Sequence, residues 1–363
     1  MLQEIRETSP QVTNFFDLTL LDLEHYLLGL GKEKYRAQQL YRWIYGLLER
    51  DFDKMTNLAK SFRADLRGLL DFQLPRVLQR MVSHDGTIKY LFAVGEGLSV
   101  EAVLIPSKDR LTLCVSSEVG CNMACRFCYT AKQKLRRRLS AGEIVGQFYH
   151  VALELAQAGR RVTNVVFMGM GEPLDNPEAV FKAVEILHSQ WGFNFSRRRI
   201  TVSTSGLVPQ IPLVSQAGVR LAVSLNATTD EIRSQVMPIN KKYPLRSLLR
   251  ACREYTEQTG DRVTFEYVLL KGVTDSLEDA RRLSQIAKSI PSKVNLIAFN
   301  EHPGTDYHRP DDSVVLRFQN ELIKRGVHVL LRRTMGRDIY AACGQLTSLY
   351  EGRPEQLATA ILT

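Results

Sequence analysis

Along the first seventy residues apolar positions recur at helical spacing. Leu18, Leu20, Leu21, Leu23, Leu27, Leu28 and Leu30 form one face that stops at Gly29–Gly31. A second run, Lys32 to Leu48, is rich in Arg, Gln, Tyr and Trp, and a third, Leu58 to Leu70, repeats apolar residues every three or four positions. The pattern predicts a small helical module over residues 1–74. It changes at Pro75. KYLFAV and LSVEAVLI alternate as strands do, with Asp85–Gly86 and the Gly95–Gly97 cluster supplying turns, so 75–106 reads as a short β linker or extension, a hairpin or small sheet.

From residue 110 strand-like and helix-like text alternate. The expected strands are Leu111–Ser117, Val162–Met168, Ile200–Ser205, Leu221–Leu225, Val263–Leu269, Val294–Phe299 and Val327–Arg332. Helical text lies between most of them, as in Ala141–Gln157 and Ser276–Ile290. Such alternation implies an α/β fold whose parallel strands are joined by right-handed crossovers. A full or incomplete β/α barrel over 107–346 is expected, with a doubly wound sheet as the alternative and 347–363 as a tail. Polar and small residues cluster just after the strands: the cysteines after the first, Gly169–Glu172 after the second, then Ser203–Gly206, Ser224–Asn226 and Asn300. A barrel builds its site at those strand ends, so one shared pocket is expected.

Composition narrows the class. The chain has 363 residues, 44% apolar and 24% charged, which excludes wholesale disorder. No apolar run is long enough to span a bilayer, and MLQEIRETSP lacks a cationic-then-apolar leader. A cytoplasmic protein without a membrane partner is expected. Lys+Arg 48 against Asp+Glu 39 gives +9, which suits a polyanionic partner. Lys132, Lys134 and Arg136–Arg138, then Arg197–Arg199 and Arg332–Arg333, are the basic runs expected to meet phosphates; a solvated face is the plainer alternative.

The cysteines carry the sharpest signal. Four of the six fall between Cys114 and Cys128, and Cys121, Cys125 and Cys128 form CxxxCxxC. Clustered cysteines in a reducing compartment point to a metal or to catalysis. Structural zinc takes four protein ligands, whereas three thiolates on a four-iron cluster leave one iron open. On spacing alone zinc and three metal-free thiols stay open. The seven histidines are scattered without ligand spacing. Cys252, in the helical text LLRACREY, reads as buried and inert.

CxxxCxxC after a first strand, followed by GMGEPL and an alternating chain, resembles the radical S-adenosylmethionine (SAM) enzymes. The strings LCVSSEVGCNMACRFCYTAKQ, VVFMGMGEPLDN, TVSTSGLVP, MPINKKYPL, LIAFNEHPG and IYAACGQL resemble one branch, the bacterial adenine-C2 RNA methyltransferases, from about Leu18 to Leu346. The resemblance implies a partial (β/α)6 barrel, a [4Fe-4S] cluster on Cys121, Cys125 and Cys128, and two SAM molecules per turnover. It implies 23S rRNA and tRNA as substrates, an electron donor such as flavodoxin, and a monomeric chain. By the same resemblance Cys343 takes a methyl group from the first SAM, a radical from the second activates it, Glu101 accepts the C2 proton, and Cys114 releases the product by forming a transient disulfide with Cys343. Gly171, Glu172, Ser203, Ser224, Leu225, Asn226 and Asn300 match the SAM contacts. Relatives commonly carry His at the place of Asn226 and Asn at the place of Arg137. Pro173 and Ser205 lean toward C2 rather than the C8 methylation of sister resistance enzymes. A noncatalytic iron–sulfur or zinc RNA binder, or a radical enzyme maturing a peptide, are the other readings; the first has no need of Cys114 and Cys343, the second none of the basic runs.

Overall fold

The computed structural model describes residues 13–347; the first twelve residues of the helical module, and all of the expected tail beyond Thr347, lie outside them. The helical module forms because each apolar run has its own start and stop. Thr19 and Asp22 cap Leu20–Gly29 reciprocally, and Leu23 and Leu27 face inward. Tyr35–Tyr41 runs into a π turn over Arg42–Gly46, and Lys60–Leu69 closes the module. An aromatic cluster attaches it to the rest. The Phe16 ring lies 5.3 Å from Tyr149 and the Tyr45 ring 5.0 Å from Phe193, while Asp17 accepts the Gly142 amide at 2.6 Å.

Ten strands form one sheet whose spatial order follows the chain. Arg76–Val82, Ile88–Ala93, Ser99–Ser107 and Arg110–Cys114 are an antiparallel meander. From Arg110–Cys114 onward every pairing is parallel, through Asn164–Phe167, Ile200–Thr204, Arg220–Ser224, Val263–Leu269, Ser292–Ala298 and Val329–Leu331. The two outer strands do not pair with each other among the described residues, so the barrel is open. The segment read as a linker is continuous with this sheet: Val103 pairs Cys114 and Leu104 pairs Leu113. No helix among the described residues is long and apolar enough to cross a membrane.

Crossover helices cover the outer face. Ala141–Gln157 begins at a Ser140–Glu143 capping box, and Leu277–Ser289 starts where Ser276 accepts the Asp279 amide. The expected first barrel strand ran to Ser117 but stops at Cys114. Side-chain bonds take over there. Ser116 Oγ donates to the Glu101 carbonyl at 2.6 Å, and Gln147 both accepts the Ser116 amide and donates to its carbonyl. The chain is thereby turned off the sheet at the point where the cysteine loop begins.

Candidate active site

The loop is closed at its base. Glu118–Val119 pairs with Arg137–Arg138, and Gly120 at φ +78° lies against the Lys134 carbonyl, where any Cβ would collide. Asn176 ties this base to the next strand end, donating to the Ser117 and Leu139 carbonyls. Cys121, Cys125 and Cys128 then line an open cavity of about 160 Å³ over the carboxyl ends of the parallel strands. Burial pushes all three thiols up. Such thiols are ionised by an ion that replaces their protons. Among the described residues no three His, Cys, Asp or Glu side chains close on one point as ligands of a single ion would. Thiolates serving three different irons of one cube need no such point.

Gly171 and Glu172 line the same cavity and pack on the base of the loop, where the Glu172 amide donates to Glu118 Oε2 at 2.8 Å. Gly171 has φ +100°, and a Cβ there would lie 2.6 Å from the Glu118 Cβ, so only glycine fits this approach. The Glu172 carboxylate is buried and accepts the Ser205 amide at 2.6 Å and the Leu174 amide at 3.1 Å. Burial raises its pKa while those donors pull it back. Ser203, Ser224, Asn226 and Asn300 reach the same cavity. Asn226 sits at φ +55°, a conformation Asn tolerates, and its Oδ1 accepts the Val268 amide at 3.0 Å. Leu225 does not line the cavity; its side chain is buried and its carbonyl accepts from Arg233. Two polar atoms of the wall, Ser205 Oγ and Glu266 Oε2, are buried without a hydrogen-bond partner. A ligand rich in amino, carboxylate and hydroxyl groups suits such a lining.

Sequence reading missed the residue that joins these strand ends. Arg233 is fully buried, and its guanidinium donates to the Leu225, Ser224 and Ser205 carbonyls and to Asn240 Oδ1. Burial lowers its pKa to about 10, still cationic at neutral pH. A single arginine in DEIRSQV carries no local signal of that role; only the closeness of two strand ends and the Asn240 turn creates it.

Cys343 is exposed on the segment after the last strand and lines the same cavity. Its carbonyl accepts from Asn300 Nδ2 at 3.3 Å, and the neighbouring Gly344 carbonyl accepts the Tyr129 amide at 2.8 Å. Cys114 lies outside the large cavity but shares an adjoining one of about 20 Å³ with Cys343 and Arg332. Burial pushes the Cys114 thiol up to about 12. Glu101 lines neither. It forms a buried ion pair with Lys89 at 2.9 Å, and its Oε2 accepts the Thr347 amide at 2.8 Å, beneath the segment that carries Cys343. Burial raises its pKa and Lys89 opposes the rise.

The basic runs divide. Arg137 makes a two-pronged pair with Glu143, Arg138 pairs with Asp175 at 2.9 Å, and Arg197 with Glu185 at 2.8 Å. Lys132 donates to the Gly304 carbonyl. Arg332, expected in a basic run, is half-buried between the two cavities, where the buried Glu266 carboxylate lies 3.8 Å from its Nη1. Lys134, Arg136, Arg198 and Arg333 are exposed.

Residues 115–283 match the radical SAM superfamily, and residues 13–71 match the ribosomal RNA large subunit methyltransferase N-terminal domain. The chain is 60% identical to the dual-specificity RNA methyltransferase RlmN of Bdellovibrio bacteriovorus, over 96% of this chain and 86% of that protein. It is 49% identical to the RlmN of Geobacter sulfurreducens, over 91% and 90%. A crystal structure of a radical SAM methyltransferase from Sphaerobacter thermophilus superposes with a TM-score of 0.87 at 44% identity, covering 93% of this chain and 99% of that one.

Proposed function

The chain belongs to the RlmN family of dual-specificity RNA methyltransferases within the radical SAM superfamily, and on that premise we propose that it methylates C2 of adenosine in 23S rRNA and in tRNA. It is a radical SAM RNA methyltransferase. The observation that carries the finer reading is a convergence: three loop thiols, Gly171–Glu172, four strand-end polar residues and Cys343 around one cavity.

Cys121, Cys125 and Cys128 would hold a [4Fe-4S] cluster, with SAM against Gly171, Glu172, Ser203, Ser224, Asn226 and Asn300. Bound there, the cluster supplies the electron that splits SAM and yields a hydrogen-abstracting radical. Adenine C2 lies between two ring nitrogens and is too electron-poor to attack a sulfonium methyl group itself. Cys343 does so in its place: its thiolate attacks the methyl carbon of a first SAM, the S–CH3 bond forms as S-adenosylhomocysteine leaves, and a second SAM is needed for the radical, so two are used per turnover. Its exposure at the cavity wall lets the S-methyl group meet both the second SAM and a base drawn out of its stack. Glu101 accepts the C2 proton; Lys89 keeps it ionisable, and its Oε2 is freed when the Thr347 amide moves with the Cys343 segment. With the former S-methyl carbon bonded to C2, the Cys114 thiolate attacks the Cys343 sulfur: the S–S bond forms as the bond from that sulfur to the methylene carbon breaks, the carbon keeps the electron pair and takes a proton to become the methyl group, and the two sulfurs are oxidised as that carbon is reduced. Lys134, Arg136, Arg198 and Arg333 contribute phosphate contacts. A monomeric cytoplasmic enzyme served by a flavodoxin-like electron donor completes the proposal.

The test is anaerobic reconstitution with iron and sulfide, then incubation with SAM and either rRNA fragments or tRNA. Mass spectrometry of the nucleosides should find 2-methyladenosine from both RNAs, together with 5′-deoxyadenosine. Exclusive 8-methyladenosine, or no 5′-deoxyadenosine, would overturn it.

A further inference from the structure

Between the two cavities stands a cation that the reaction scheme above does not use. Arg332 borders the large cavity and also the small one that holds Cys114 and Cys343. Its place is fixed from two sides. The Arg332 amide donates to the Leu296 carbonyl at 2.9 Å, and its Nη1 lies 3.8 Å from Glu266 Oε2. Glu266 is itself buried and held by Asn295 Nδ2 at 2.8 Å. The ion pair is off hydrogen-bond distance, and Nη1 also donates to Met168 Sδ at 4.0 Å; the remaining guanidinium donors are left for the cavity shared with Cys114 and Cys343.

The two cysteines differ in what they need. Cys343 is exposed, whereas Cys114 is almost wholly buried against Val103, Ile105 and Val166. A thiol must ionise to attack, and burial opposes that. The Arg332 charge and the Met168 backbone work against the burial of Cys114; a negative charge on Cys343 works with it. The remaining titratable groups facing this corner are Glu266, Lys293 on the adjoining strand, and Cys128 of the loop, which faces Cys343. None of these supplies a cation beside Cys114 as Arg332 does.

We propose that Arg332, anchored by Glu266, is a positioning residue that stabilises the Cys114 thiolate as it attacks the Cys343 sulfur. The inference rests on the roles given to the two cysteines under the proposed function. It is separable from them in a reaction that needs neither RNA nor SAM. Full-chain protein carrying its cluster is treated anaerobically with oxidised glutathione. The Cys343 thiolate displaces one glutathione thiolate and forms a mixed disulfide. The Cys114 thiolate then attacks the Cys343 sulfur, the bond to glutathione breaks, and a second glutathione thiolate leaves. Two protein thiols are oxidised, one glutathione disulfide becomes two thiols, and the two cysteine protons pass to them through solvent.

The closing step is followed by acid quench and peptide mass spectrometry from about pH 6.5 to about pH 9.5, a range below the Cys114 pKa in which its rate tracks the thiolate fraction. In Arg332→Met the rate curve should move about one unit or more to higher pH, with the rate at neutral pH falling about tenfold. Arg332→Lys, which keeps the charge, should stay near the wild-type curve. Arg332→Gln takes the place of the Met variant if that one does not fold. Coincident wild-type and neutral-variant curves would overturn the inference, as would equal slowing in the Lys and neutral variants with no displacement along the pH axis. If the wild type never forms the Cys114–Cys343 bond, the roles of the two cysteines fall, and this inference with them.

Discussion

The loop thiols and the pair Cys114–Cys343 reach the same end of the sheet by different routes. Cys121, Cys125 and Cys128 lie within eight residues, on a loop whose base is closed by a two-residue ladder and clamped through Ser116, Gln147 and Asn176. Their closeness is local, and the fold only has to aim them. Cys114 ends the first parallel strand, while Cys343 follows the last; nothing local brings them together. Their closeness depends on the curvature of the whole sheet and on small bonds such as Asn300 to the Cys343 carbonyl. A local set can be held rigidly, which suits a resident cofactor. A long-range pair with one exposed member can separate and rejoin, which suits residues that exchange covalent partners.

The contrast can be broken most sharply at Cys343. Cys343→Ala should lower methyl transfer by about a thousandfold or more, while iron content, SAM cleavage and RNA affinity persist. Loss of RNA affinity in parallel would make it a structural residue. Cys125→Ala should do the converse: iron and sulfide fall to near background on reconstitution, and no 5′-deoxyadenosine forms, with the fold intact by circular dichroism. Retention of a full cluster would remove the loop from its assigned role.

Gly171→Ala probes the wall packed on the loop base. A methyl group 2.6 Å from the Glu118 Cβ, on a backbone at φ +100°, should cost about 3 kcal/mol in denaturant unfolding and weaken SAM binding in the folded fraction. The neighbouring Glu118 gives the pH test. Burial pushes its carboxyl up to about 8. A folded-state pKa raised above the ordinary value means that its contribution to stability is complete below the usual carboxylate range and is lost as pH rises through about 8. Relative to Glu118→Gln, the wild type should therefore lose about 2 kcal/mol between about pH 6 and about pH 8. Parallel stability curves would show that the carboxyl is ionised throughout. Smallest is Cys252→Ala, in the buried face of Leu245–Thr259, which should cost about 1 kcal/mol and leave methyl transfer unchanged.

Much of this molecule was legible along the chain, for reasons that differ by element. Helix Ala141–Gln157 was read to its ends because a Ser–Glu capping box and a continuous apolar stripe are both local. The parallel strands were legible as apolar runs, since burial on both faces removes the need for alternation. The strands of 76–107 were legible as a β linker or extension, but their pairing into the main sheet was not, because a hairpin reads the same whether its edge is free or paired. Arg332 read as part of a basic surface run, and its half-buried place beside the sulfurs follows only from Glu266 on a neighbouring strand. Arg233 gave no signal at all.

What the sequence determined by itself is the chemistry carried by short spacing: three thiols on one loop, a glycine–acid step after a strand, and the alternation that makes a parallel sheet. These depend on torsion angles and on neighbours a few residues away. What only the tertiary structure decided is which distant groups share a cavity. Cys114 with Cys343, Arg332 with Glu266, and Arg233 with two strand ends are brought together by the bending of the sheet, and no stretch of chain encodes that bend alone.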